Sequence, residues 1–215
     1  MATARATLFF DLDGTLIDSA TGITRCVAHA LTAMGRPVPP DAELRGWIGP
    51  SLRTSFGPLF DDPTGVESAV EHYRQRFDSI GWREHEVYAG IGETVEALGA
   101  RGHRLAVVTA KNEPHARRIV AHLPFGGCFA EVIGATPCGR RSDKPELIAE
   151  ALARLGLDAG DCWMIGDRRM DIEGAHHHRM RHIGVLWGFG GRDELGAAGA
   201  EHLAAAPHEL LDLLA

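Results

Sequence analysis

From Gly92 onward this chain has a rhythm that few folds can accommodate. Short apolar runs at 105–108, 132–133, 163–165, 183–186 and, more weakly, 202–204 are of strand length, and a sixth stands near the start at 8–10. Between them lie helical patterns at 93–100, 113–122, 145–155, 171–179 and 209–214. The third opens on Pro145, which suits a first helical turn. Alternating strands and helices predict an α/β chain, a parallel sheet with helices on both faces. Ligands of such sheets gather at the carboxyl ends of the strands.

Residues 19–88 break the rhythm. Apolar residues recur there at helical spacing (Ile23, Val27, Ala30, Leu31, Met34, then Val66, Val70, Tyr73, Phe77), punctuated by RPVPPD and GPSL. No strand is expected in this stretch. The expected division is a core of residues 1–18 and 89–215 with a helical cap domain, 19–88, inserted after the first strand. The ends of such an insertion are natural hinges.

Chemistry collects where the strands end. The first run passes into Asp11-Leu12-Asp13-Gly14-Thr15 and the second into Thr109-Ala110-Lys111-Asn112. Lys144-Pro145 opens a helix, and Gly166-Asp167 precedes Asp171 by four residues. On an extended chain Asp11 and Asp13 face the same side and repel each other, so that strand end needs concentrated negative charge. A parallel sheet brings all these groups to one edge. Carboxylates without His or Cys suit a hard cation, and Mg²⁺ matches a few carboxylates plus substrate phosphate. A phosphoryl group asks for a metal, a lysine, a hydroxyl and backbone N–H groups. One carboxylate can then be a nucleophile and its neighbour a general acid and base.

Composition sharpens this. Of 22 basic residues only Lys111 and Lys144 are lysine, and a lysine kept among arginines suggests a need for a compact ammonium. A net charge of −7 argues against nucleic acid or anionic membrane as the main partner but does not exclude a small phosphorylated metabolite. No stretch reads as a leader or membrane span, and the four cysteines form no C-x-x-C pair, so the expected setting is a reducing cytoplasm.

The stretches DLDGTLIDS, VVTAK, SDKPELI and IGDRRMDIEGA, in this order, resemble the four motifs of the haloacid dehalogenase-like superfamily of phosphohydrolases. The resemblance implies a Rossmann-like core and an Mg²⁺-dependent phosphatase working through an aspartyl-phosphate. It makes Asp11 the nucleophile, Asp13 the general acid/base, Thr109 a phosphoryl ligand and Lys144 the neutralising cation. Asp167 would bind Mg²⁺ with Asp11 and the Asp13 carbonyl, supported by Asp171, while Gly14 and Ala110 join the substrate-binding set. The insertion is similar to the smaller caps of this superfamily. It contains no lysine, which excludes a Schiff-base phosphonatase, and Ile23 stands where the sugar-phosphate mutases carry a histidine. DSATGITRCVAHAL, WIGPSL and IGVLWGFGGRDEL resemble the phosphoglycolate phosphatase branch, with nucleotidase-like and pyrophosphatase-like members as alternatives. A non-catalytic phospho-aspartate signalling module is the rival from another class.

Other candidates carry two readings each. Ser51 reads as a helix N-cap with Arg53 in the following turn, where an arginine opposes the helix dipole unless it answers an anion such as a substrate tail. Lys111 either reaches the phosphate or is solvated. His176, His177 and His178 point in different directions on a helix and lack the i, i+4 spacing of a chelating pair. Trp47 and Trp82 read as cap core, and Gly188-Phe189-Gly190-Gly191 as a weak echo of a phosphate loop.

Overall fold

The computed structural model describes residues 5–215. Strand β1 (Thr7–Phe10) is buried at every position, as a central parallel strand must be. Leu8 and Phe10 enter one apolar cluster and Phe9 the other, one on each side of the sheet. A short β2 (Ile17–Asp18) leads into α1 (Ala20–Ala33), α2 (Asp41–Arg45), α3 (Leu52–Phe56) and α4 (Pro63–Ser79). A 3₁₀ turn at Gly81–Arg83 precedes β3 (Glu86–Val87). The rest alternates as expected: α5 (Ile91–Ala100), β4 (Arg104–Asn112), α6 (Glu113–Val120), β5 (Phe129–Ala135), α7 (Lys144–Leu155), β6 (Cys162–Gly166) and α8 (Arg169–His177). It closes with β7 (Arg181–Val185), α9 (Arg192–Ala197), β8 (Leu203–Ala204) and α10 (Leu210–Leu213).

Six of these strands form one parallel sheet in the order β5-β4-β1-β6-β7-β8. The chain builds outward from β1 through β4 to β5, then crosses back and builds outward from β6. The topological switch point therefore lies between β1 and β6, which is where a crevice opens in such sheets. Helices α5, α6 and α10 cover one face through Val95, Leu98, Ile119 and Leu210. Helices α7 and α8 cover the other through Leu147, Ile148 and Ala175. Among the described residues no helix is long and apolar enough to cross a membrane.

Three elements differ from the sequence reading. Residues 19–88 do contain a strand, β3, paired antiparallel with β2 through Ile17 with Val87 and Asp18 with Glu86. Two-residue strands are too short to show any period, so hydrophobic patterning misses them. Strand β4 continues to Asn112, past the apolar run, through an irregularity between Thr109 and Asn112. Helix α9 buries only Leu195 and so has no apolar stripe to announce it.

The inserted helices pack mainly through α1 on α4, with Val27, Ala30, Val70 and Phe77 buried in a cluster continuous with the sheet's own. Their fit to the chain's return is close at Gly22, whose N–H donates to the Glu84 carbonyl at 3.0 Å. A Cβ there would lie 2.5 Å from the Gly81 carbonyl oxygen. Gly22→Ala should therefore force the turn at Gly81–Arg83 away from α1 and cost roughly 1–3 kcal/mol, the usual scale of overpacking. A urea midpoint no lower than that of the unaltered protein would show that the contact yields freely.

Candidate active site

The chain leaves β1 at Asp11, whose N–H still donates to the Ile165 carbonyl of β6 at 2.9 Å. It then turns tightly: Leu16 N–H donates to Leu12 O at 3.0 Å and Gly14 N–H to Ile17 O at 2.8 Å. Gly14 carries φ +84°, and a Cβ on it would fall 2.2 Å from Asp167 Oδ2. Only glycine meets both demands, a left-handed backbone and a carboxylate pressed against it. Asp167 follows β6 and is fully buried. It accepts from the Thr15 hydroxyl at 3.2 Å and from Phe189 N–H at 2.7 Å. The glycine-rich stretch at 188–191 thus wraps Asp167, while Trp187 beside it donates to Thr15 O at 3.0 Å. Asp171, in the first turn of α8, accepts from Arg168 N–H at 3.1 Å.

Asp11, Asp167 and Asp171 are all buried, with oxygens within 4.8 Å of one another. Lys144, at the start of α7, is buried among them. Its Nζ donates to Val108 O at 3.0 Å and stands 3.0 Å from Asp11 Oδ1 and 2.7 Å from Asp171 Oδ1. The ammonium meets these two oxygens by proximity of charge, without hydrogen-bond alignment, so both are buried acceptors with no donor among the described residues. Burial alone would pull the Lys144 pKa down, but Asp11 and Asp171 outweigh it and hold the pKa above its usual range. One ammonium does not balance three carboxylates. Burial pushes the Asp167 carboxyl well above the ordinary range, reinforced by Asp171 and Asp11. Burial likewise pushes Asp171 up to about 6, against the lowering pull of Lys144. Oxygen-only donors, orphaned acceptors and surplus negative charge fit a hard divalent cation.

Asp13 lies beside this cluster, and Lys111 Nζ donates to both its oxygens, at 3.0 Å and 2.8 Å. Lys111 is thus neither solvated nor free, a pairing that sequence alone does not reveal. The buried Thr109 accepts Lys111 N–H on its hydroxyl at 3.2 Å. Asp11, Asp13, Thr109, Ala110 and Lys111 open on a cavity of about 350 Å³ beneath the inserted helices. A second lobe of about 380 Å³ shares Asp11 and Ala110 and runs past Lys144 and Asp171.

The wall opposite comes from residues 19–88. Ser51 caps α3 by accepting Thr54 N–H at 3.2 Å, and Arg53 lines the cavity. Both oxygens of Glu67 hold the Arg53 guanidinium, at 2.5 Å and 2.7 Å. Tyr73, 5% exposed, also lines the cavity. No motif marks that tyrosine; only the α4 packing turns it inward. Trp82 is buried in the larger apolar cluster and Trp47 packs against that cluster, while His176, His177 and His178 sit at the far end of α8. Arg168 reaches from the strand end to donate to the Ile48 carbonyl in the opposing wall.

Comparison with known proteins agrees with this geometry. The family described as haloacid dehalogenase-like hydrolase matches residues 8–185. A 5'-nucleotidase of Pseudomonas aeruginosa is 43% identical over 92% of this chain and 90% of its own length. A phosphoglycolate phosphatase of Pectobacterium atrosepticum is 31% identical over 87% of this chain and 82% of its own. The tyrosine-protein kinase PtkA of Mycobacterium tuberculosis is 37% identical over 86% of this chain, which spans 64% of that longer protein. A crystal structure of a predicted phosphatase from Clostridium acetobutylicum superposes with a TM-score of 0.93 at 34% identity, covering 98% of both chains. With four strand-end motifs converging on one acidic centre and a family match across most of its length, this chain belongs to the haloacid dehalogenase-like hydrolases.

Proposed function

We propose that this protein hydrolyses small phosphate monoesters through a phosphorylated Asp11, with Mg²⁺ held by Asp11, Asp167, Asp171 and the Asp13 carbonyl. The observation that carries the reading is the buried acidic centre, over-supplied with negative charge and opening directly on a cavity beside Asp13. The bound cation would offset charge on the phosphoryl oxygens. Asp11 attacks phosphorus, the ester P–O bond breaks, and Asp13 delivers a proton to the leaving oxygen. Asp13 then takes a proton from water as it attacks the same phosphorus, and the bond to Asp11 breaks with release of phosphate. Thr109, Gly14 and Ala110 position the phosphoryl group, and Lys144 holds Asp11 in line while countering its charge. Residues 19–88 act as the cap domain over a core of 1–18 and 89–215.

For the leaving group we favour a neutral nucleoside over a carboxylate-bearing tail such as that of phosphoglycolate. The guanidinium expected to meet an anionic tail, Arg53, already has a carboxylate partner in Glu67. The nearby Tyr73 hydroxyl offers a neutral hydrogen bond instead. The resemblance to a 5'-nucleotidase supports the same choice.

Three outcomes test this. Asp11→Asn should fold normally and lose several orders of magnitude in turnover, because the amide keeps the shape without the nucleophile. Near-normal phosphate release by that variant would remove Asp11 from the reaction.

The second concerns pH. Folded Asp167 and Asp171 have pKa values above those of the unfolded chain, so the folded state binds protons more tightly and loses stability as pH rises, for Asp171 through the range up to about 6. In EDTA, Asp167→Asn should thus stabilise the protein at pH 7.5, by roughly 1–3 kcal/mol, and the gain should shrink toward pH 5. Mg²⁺ should raise the melting temperature of the unaltered protein more at pH 7.5 than at pH 5 and should do little for the variant. Equal Mg²⁺ shifts in both proteins would place the cation elsewhere.

For the third, kcat/KM for a nucleoside 5'-monophosphate should exceed that for phosphoglycolate by about tenfold or more, and Glu67→Gln, by freeing Arg53, should narrow the gap. An unchanged ratio in Glu67→Gln would show that Arg53 does not face the tail.

A further inference from the structure

Lys111 enters none of the roles above, yet its side chain is 7% exposed and its partner Asp13 11% exposed. Lys111 stands where the pairing of β4 with β5 loses its regular register, between Thr109 and Asn112. The backbone of Lys111 is anchored on the Thr109 hydroxyl, and its ammonium grips both oxygens of Asp13 at 2.8 Å and 3.0 Å. On its far side the ammonium lies 4.9 Å from the centre of the Phe77 ring, within cation–π range. Phe77 belongs to α4, across the cavity from the sheet, and is 2% exposed. Its neighbour Asp78 accepts from His115 of α6 at 2.7 Å, which brings that end of α4 against the sheet.

We propose that Lys111 is the positioning residue for Asp13, and that Phe77 completes the clamp only when the helical segment is seated over the site. A carboxylate held by both oxygens cannot rotate freely, so its approach to an incoming water is fixed. An ammonium at both oxygens keeps the carboxylate ionised and its orientation fixed, so the clamp serves the half-reaction in which water is deprotonated. There the water O–H breaks, its proton goes to Asp13, the new P–O bond forms and the bond to Asp11 breaks. The ring face of Phe77 shields the ammonium from water, and loss of that face loosens the grip on Asp13.

The proposal rests on the aspartyl-phosphate reading and is tested by rapid-mixing kinetics with p-nitrophenyl phosphate in Mg²⁺. Its leaving group departs without a proton, so the first-turnover burst reports phosphorylation of Asp11 and the steady state reports water attack. Lys111→Met should keep the burst rate within about threefold and lower the steady state by about tenfold to a hundredfold, the scale of a lost base contribution. Lys111→Arg should recover much of that loss, since a guanidinium also grips a carboxylate by both oxygens. Phe77→Leu should lower the steady state in the same direction by a smaller factor. A burst slowed as much as the steady state would make Lys111 a phosphoryl ligand and overturn the proposal, as would unchanged kinetics in Lys111→Met. Asp13→Asn serves as the control. A stoichiometric burst in that variant upholds the phospho-enzyme, whereas its absence in every variant sinks the underlying mechanism instead.

Discussion

Everything at this site follows from burying more negative charge than the protein itself balances. Asp11, Asp167 and Asp171 share one ammonium, Lys144, in a buried place at the floor of the cavity. Isolated carboxylates in such a place cost several kcal/mol each, far more than surface ion pairs return. The fold tolerates this because the strain sits at the edge of a well-packed sheet, where Leu8, Phe9 and Phe10 of β1 are all fully buried. Phe189 N–H and the Thr15 hydroxyl solvate Asp167 only in part. The remaining deficit is one that a bound hard cation would offset.

The topology explains why these groups meet. Asp11 and Asp167 are far apart in sequence but end adjacent strands on either side of the switch point. Lys144 arrives from the crossover helix that carries the chain from β5 back to β6, and its stem packs under Gly174 of α8. Each group is fixed by an element whose other face is core. A site built on strand ends and helix starts keeps its geometry without relying on mobile loops.

How much of this the sequence discloses depends on the length of the signal. The six strands and the major helices were legible because apolar period and Gly/Asp punctuation agree over many residues, and the paired aspartates stood out because their mutual repulsion demands a reason. The β2–β3 pair and α9 were hidden because two-residue strands and a helix with one buried side chain leave no period. The Lys111–Asp13 contact was hidden for another reason. Nothing in TAKN encodes which way a strand-end lysine turns, and the pairing of β4 loses its regular register at that point. The weak glycine motif at 188–191 proved to cradle Asp167, a role that a phosphate-loop template cannot suggest.

The inserted helices meet the rest of the protein through two kinds of contact, and the difference between them bears on motion. Near β2 and β3 the joint is backbone hydrogen bonding and a buried core that runs without a break through Leu12, Leu16 and Ile17. At the cavity mouth the contacts are polar and few: Arg168 to the Ile48 carbonyl, Arg74 to the Pro137 carbonyl, and His115 to a half-exposed Asp78. Polar contacts near solvent contribute little net stability because water replaces them readily. The apolar joint is therefore the firmer part of this contact and the polar rim the part more easily parted. The Lys111–Phe77 contact joins the end of β4 to the buried face of α4 and also meets Asp13, so in the proposal above seating the helices and orienting Asp13 become one event.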